Sequence, residues 1–225
     1  MNKDQVYESS EVVDTSTRLD NLRFLSGRLC LDFANTVDPR VGQDSHDFLS
    51  NYFALVKWSQ RISVLTEDEA AGLIQDAKHH PTEATTTFER AINLRETMYR
   101  VFSAVARRAI PRSADLDTLK RAFAAAMTHA RIMPTDDSFE WDWNKNENAL
   151  DMMLWPLARS AVELLISSEV KRVKECPGVG DCGWLFLDTS KNGSRQWCSM
   201  EGCGSRAKMR RQYARKRTIR VQHTK

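Results

Sequence analysis

The chain has 225 residues, 41% of them hydrophobic, with 33 Lys and Arg against 30 Asp and Glu. That length suits one core of about 150 residues plus a small appendage. The most apolar window, residues 149–158, is short and broken by Asp151 and Pro156, which excludes a membrane span. The first twenty residues lack the apolar run of a secretory signal, so the protein is expected to be cytoplasmic, with reduced thiols.

Residues 1–20 are rich in Ser, Thr, Asp and Glu without apolar periodicity and read as a flexible tail. Leu29, Cys30, Phe33, Ala34 and Val37 then fall on one helical face that ends before Pro39. Cys30 on that face reads as a small buried hydrophobe, and Asp32 and Asn35 as capping or hydrogen-bonding groups. Residues 48–61 carry Leu49, Tyr52, Phe53 and Val56 at helical spacing. Thr66 and Glu69 form a capping box that opens the next helix, which stops near Pro81. Further helices are expected over 82–108 and 115–131, followed by a hairpin over 132–143 in which Trp141 and Trp143 share a face, with core the simpler role for both. A strongly apolar helix follows over 148–167.

No catalytic set emerges from this body. His46, His79, His80, His129 and His223 do not form a metal motif, and neither a phosphate loop nor a nucleophile elbow is present, so an enzyme is not expected.

Four of the five cysteines form two pairs, Cys176/Cys182 and Cys198/Cys203, separated by fifteen residues. Two close pairs can deliver four thiolates to one tetrahedral Zn²⁺. Two disulfides are the alternative, and they require an oxidising compartment. A closed shell of four sulfurs leaves no open position, so the expected zinc is single and structural, and it folds a segment too small to be stable alone. Between the pairs, residues 184–187 read as a strand, Asn192-Gly193 as a turn and residues 195–197 as the returning strand. Trp184, Phe186 and Trp197 would cap the metal.

Charge is split along the chain. Residues 170–225 hold 14 Lys and Arg against 4 Asp and Glu, net +10, while the rest holds 19 against 26, net −7. From Gly204 onward there are nine basic residues and no acidic one, and residues 206–217 contain no Pro or Gly. This reads as a basic helix that needs a polyanion, with double-stranded DNA the commonest such partner. The candidate DNA contacts are Arg206, Lys208, Arg210, Arg211 and Arg215, joined by Arg195 and Arg217. RNA or an acidic protein partner is the alternative reading, that of a zinc-finger adaptor.

The run Cys182-Gly-Trp-Leu-Phe-Leu-Asp-Thr-Ser with Asn192, Arg195, Trp197-Cys198-Ser-Met and Cys203-Gly-Ser-Arg-Ala-Lys resembles the CGNR zinc finger. Residues 29–37 and 155–165 resemble the opening motif and closing helix of the ABATE domain, which precedes that finger in bacterial stress-induced transcription regulators. The resemblance implies a mainly α protein: a multihelical N-terminal bundle with a small β-hairpin insert over 21–170, then a four-cysteine zinc finger made of a hairpin and a basic helix over 171–225. It also implies DNA binding and regulation, in association with the nucleoid. The acidic body, together with the resemblance, points to a homodimer, to a small-molecule effector sensed by the helical part, or to both, and no membrane partner is expected. One departure is Ser205, which stands where the family motif has Asn. Both residues cap helices, so the fold of the knuckle is expected to survive.

Overall fold

The computed structural model describes residues 19–42, 45–144, 149–178 and 182–222, with side chains as far as residue 215. Among these residues the protein is mainly α, with seven α-helices and three two-stranded antiparallel ribbons. The tail expected over 1–20 falls outside the described residues up to position 18. Leu19, however, is already buried in the core, where Arg61 donates to its carbonyl.

Helix α1 (Leu29–Ala34) buries nearly every side chain it carries, Cys30 and Phe33 included. It is shorter than its apolar spacing suggests. Pro39 disfavours helical geometry at the preceding residue, and Val37–Asp38 (β1) instead pairs with His46–Asp47 (β2). Helix α2 (Tyr52–Arg61) starts where Asn51 accepts from the Ala54 N–H at 2.9 Å, four residues later than the periodicity alone indicates.

Helix α3 (Glu67–His79) opens on the expected capping box, with Thr66 accepting from Glu69 N and Glu69 from Thr66 N. Pro81 takes the first position of α4 (Pro81–Ala106), where its missing N–H costs nothing. Helix α5 (Ser113–Met127), the ribbon of β3 (Ala130–Pro134) with β4 (Phe139–Trp143), and α6 (Leu154–Ile166) complete the bundle. The last helix, expected from residue 148, begins only at Leu154, after turns over 150–153; residues 145–148 lie outside the described residues. Trp143 tilts against Trp155 of α6 with ring centroids 6.0 Å apart, whereas Trp141 stays 40% exposed beneath the Arg159 guanidinium, so only one of the two indoles packs inward.

After α6 a 3₁₀ turn (Ser168–Arg172) leads into β5 (Val173–Glu175), which pairs with β6 (Leu185–Leu187). The chain continues through a wide turn (Met200–Gly204) into α7 (Ser205–Gln222). One apolar cluster runs from Phe33, Trp58 and Phe102 in the helices through Val173, Leu185, Phe186 and Leu187 to the four paired cysteines. Burial of this shared surface ties the two parts of the chain to each other. Among the described residues no helix is long and apolar enough to cross a membrane.

A candidate metal centre and the basic helix it carries

The first cysteine pair sits on the β5–β6 ribbon. Cys176 follows β5, Cys182 precedes β6, and the turn closes through Cys176 N–H to Trp184 O at 2.8 Å and Gly183 N–H to Cys176 O at 3.2 Å. Gly183 has φ +64°, and a Cβ there would lie 2.9 Å from Val41 Cγ2 and 3.0 Å from Arg40 Cβ, so both backbone and space require glycine. The second pair brackets the wide turn. Ser199 accepts from Gly202 N at 3.2 Å through its side chain and from Gly204 N at 2.9 Å through its carbonyl, which folds Cys203 back beside Cys198.

This arrangement corrects the expected hairpin. The sequence suggests strands on either side of Asn192-Gly193, but β6 pairs with β5, upstream of the first cysteine, and residues 195–197 form no strand. Gly193 still turns, donating to Ser190 O at 3.2 Å.

All four Sγ atoms lie within 4.8 Å of one another and all four residues are buried. Cys182–Cys198 and Cys198–Cys203 are each 3.7 Å apart. Tetrahedral Zn²⁺ with Zn–S bonds near 2.3 Å sets its sulfurs about 3.8 Å from one another, so the donor set fits one zinc ion. The thiols also compete for protons: contacts from Cys182 and Cys198 hold Cys176 down, while contact with Cys176 pushes Cys182 up and Cys198 up to about 12. A dication that takes all four as thiolates removes that conflict. Cys30 lies apart from the cluster in α1, its thiol pushed up to about 12 by burial, as an inert core residue should be.

The helical body grips this knuckle through polar contacts. The Asn35 amide donates to Leu185 O at 2.8 Å and accepts from Leu185 N at 2.9 Å. Trp184 Nε1 donates to Val37 O at 2.9 Å, Arg40 N to Cys182 O at 2.8 Å and Tyr99 Oη to Gly183 O at 3.3 Å. Arg40 is itself held by both oxygens of Glu96, at 2.9 and 2.8 Å. Of the three aromatics expected over the site, Trp184 is buried next to Cys182 and Trp197 is half-buried near Cys176, while the buried Phe186 ring packs under Arg195. Nothing in the sequence marks Arg40 and Tyr99, which meet a loop more than eighty residues away, or Glu96, which acts through Arg40.

Arg195, expected among the DNA contacts, turns its guanidinium into the protein. Its guanidinium donates to the carbonyls of Trp197, Leu25 and Cys198 at 3.0, 3.0 and 2.5 Å and lies 4.5 Å over the Phe186 ring. These internal acceptors occupy its donor face, so it stitches residues 187–198 to the start of the helical body. Asp188 works beside it. Burial alone would raise its carboxyl, but hydrogen bonds from Lys174 and Ser190 hold it well below the usual carboxylate range.

Helix α7 grows out of the second knuckle. Ala207 is buried at its root, and its substantial packing partner is the turn that carries Cys203. Arg206, Lys208, Arg210, Arg211 and Arg215 are all exposed. Lys208, Arg211 and Arg215 share one face, which borders a groove with Trp197 and Met200, and Arg210 lies on another. Arg206 differs from its neighbours, since its Nη2 reaches Cys203 Sγ at 3.1 Å. The side chain of Arg217 lies outside the described residues.

Residues 27–168 match the ABATE family model, described as "Putative stress-induced transcription regulator", and residues 172–216 match the CGNR zinc finger. The chain matches no curated protein.

Proposed function

The chain belongs to the ABATE family, with a C-terminal CGNR zinc finger that binds one zinc ion, and from that premise we propose that it regulates transcription by laying α7 on duplex DNA. The observation that carries this reading is α7 itself, an exposed basic helix without an acidic residue, rooted in a metal-stapled knuckle. Lys208, Arg210, Arg211, Arg215 and Arg217 make the phosphate contacts, with base contacts in the major groove supplying selectivity. Residues 171–225 act as the DNA-binding unit, and the acidic body over 21–170 keeps its own surface off the phosphates. Association with the nucleoid follows.

The body is proposed to dimerise and to sense a small molecule. Supporting dimerisation, the β3–β4 ribbon turns Ile132 and Phe139 outward, 61% and 74% exposed, on the face it shares with Trp141. Supporting sensing, a cavity of about 310 Å³ opens between α4, α5 and α6, bordered by Arg90, Arg121 and His129 over Leu94 and Trp155.

Competition among labelled duplex DNA, structured RNA and an acidic peptide for the zinc-loaded protein tests the central reading. Preference for the duplex supports it, and displacement of duplex by RNA or peptide at lower concentration contradicts it. Sedimentation of the wild type against Phe139→Ser tests the dimer, which only the variant should lose.

A further inference from the structure

Four thiolates around a zinc ion carry a net charge of −2, and here the sulfurs lie in a largely buried cluster. Excess charge away from water needs nearby compensation. Two features supply it on the Cys203 side. The N-terminal end of α7 begins two residues after Cys203, which brings the positive end of the helix dipole to that sulfur. Arg206, one turn further on, places Nη2 3.1 Å from Cys203 Sγ, a charge-assisted N–H···S contact that no other basic side chain among the described residues makes to a cysteine.

The position of Arg206 adds a second role. A cleft of about 290 Å³ between residues 21–25 and the knuckle reaches Cys182, Cys198 and Cys203, and Arg206 lines it together with Leu22 and Asp38 of β1. Arg206 thus borders the same cleft that reaches the sulfurs. Its spacing from Cys203 explains how it gets there, since residues three apart near a helix start share a face.

We infer that Arg206 is a positioning residue of the metal centre, where it neutralises thiolate charge at Cys203 and screens the cleft through which chelators and electrophiles reach the sulfurs, and that it does not belong to the DNA-contacting face. The inference rests on the thiolate cluster and stands independently of DNA binding. Removing an outer partner of a metal ligand costs about 10–100-fold in metal affinity.

The test uses the full-length zinc-loaded protein. Zinc affinity is read by competition with 4-(2-pyridylazo)resorcinol, and sulfur access by the rate of modification with N-ethylmaleimide. Arg206→Ala should weaken zinc binding by about 10-fold or more and accelerate modification. Arg206→Lys should recover part of the loss because it keeps the charge but not the planar fork. Arg210→Ala should match the wild type in both readouts. If Arg206→Ala does not fold, Arg206→Gln and Arg206→Lys carry the same comparison, with Lys expected to hold zinc the tighter. Wild-type zinc affinity and modification rate in Arg206→Ala, or in both Arg206→Gln and Arg206→Lys, would overturn the inference. A failure of the wild type to bind duplex DNA would sink the proposed function and leave these two readouts unchanged.

Discussion

The side-chain amide of Asn35 pairs with the backbone of Leu185 as one strand pairs with another, donating to its carbonyl and accepting from its N–H across 150 residues of sequence. The contact is buried on both sides. It makes the fold of the zinc knuckle depend on α1 of the helical body, and the reverse. Asn35→Ala leaves both backbone groups of Leu185 without that partner, at about 1–3 kcal/mol for each unsatisfied buried group. Urea unfolding should therefore show a loss of about 3 kcal/mol, and an unchanged midpoint would contradict the coupling.

Zinc removal should reach beyond the finger. The four cysteines belong to the same apolar cluster as Phe33, Trp58 and Phe102, so withdrawing the metal, or replacing Cys198 with Ser, exposes surface that the helices share. Hydrogen exchange is expected to accelerate at Leu185 and also in α1. Protection lost only after residue 171 would show instead that the two parts fold separately.

Arg195 and Arg210 should respond in opposite ways to truncation. Arg195 donates to four carbonyls, those of Leu25, Leu187, Trp197 and Cys198, and hydrogen bonds from a charged donor are worth about 1.5–3 kcal/mol. Arg195→Ala should lower the unfolding midpoint markedly. Arg210→Ala, at an exposed position of α7, should leave the midpoint in place and weaken duplex binding alone.

Acid stability should carry the signature of Asp115. Hydrogen bonds from Arg100 and Arg112 pull its carboxyl down to about 2, below the ordinary value of about 4. A carboxylate whose folded-state pKa is depressed stabilises the fold above its unfolded-state pKa, and that contribution drains away as pH falls through the folded value. Stability should thus decline between about pH 4 and pH 2. Asp115→Asn should flatten that limb while lowering stability at neutral pH; an acid limb identical to that of the wild type would rule out the assignment.

Local chemistry is what the sequence reveals most clearly. The Thr66–Glu69 capping box is contained in four residues, and the metal reading needs only the spacing of four cysteines, so both are legible in one dimension. The pairing of β5 with β6 is not. Three-residue strands carry almost no periodic signal, and their register is set by the cysteine turn between them and by Asn35 from outside. Arg195 shows the same boundary from the other side. In a basic segment every arginine looks solvated, and only the convergence of Leu25, Trp197 and Cys198 carbonyls marks this one as internal.

If the zinc-stapled knuckle presents α7 to duplex DNA, binding must weaken steeply as salt rises. Each neutralised phosphate contributes about −0.9 to the slope of log K against log salt. The zinc-loaded wild type, read by fluorescence anisotropy on duplex DNA, should therefore show a slope near −4.5 for about five contacts. Lys208→Ala, Arg210→Ala and Arg211→Ala should each reduce it by about one. Tight binding with a slope near zero, or a slope untouched by these substitutions, would contradict the account.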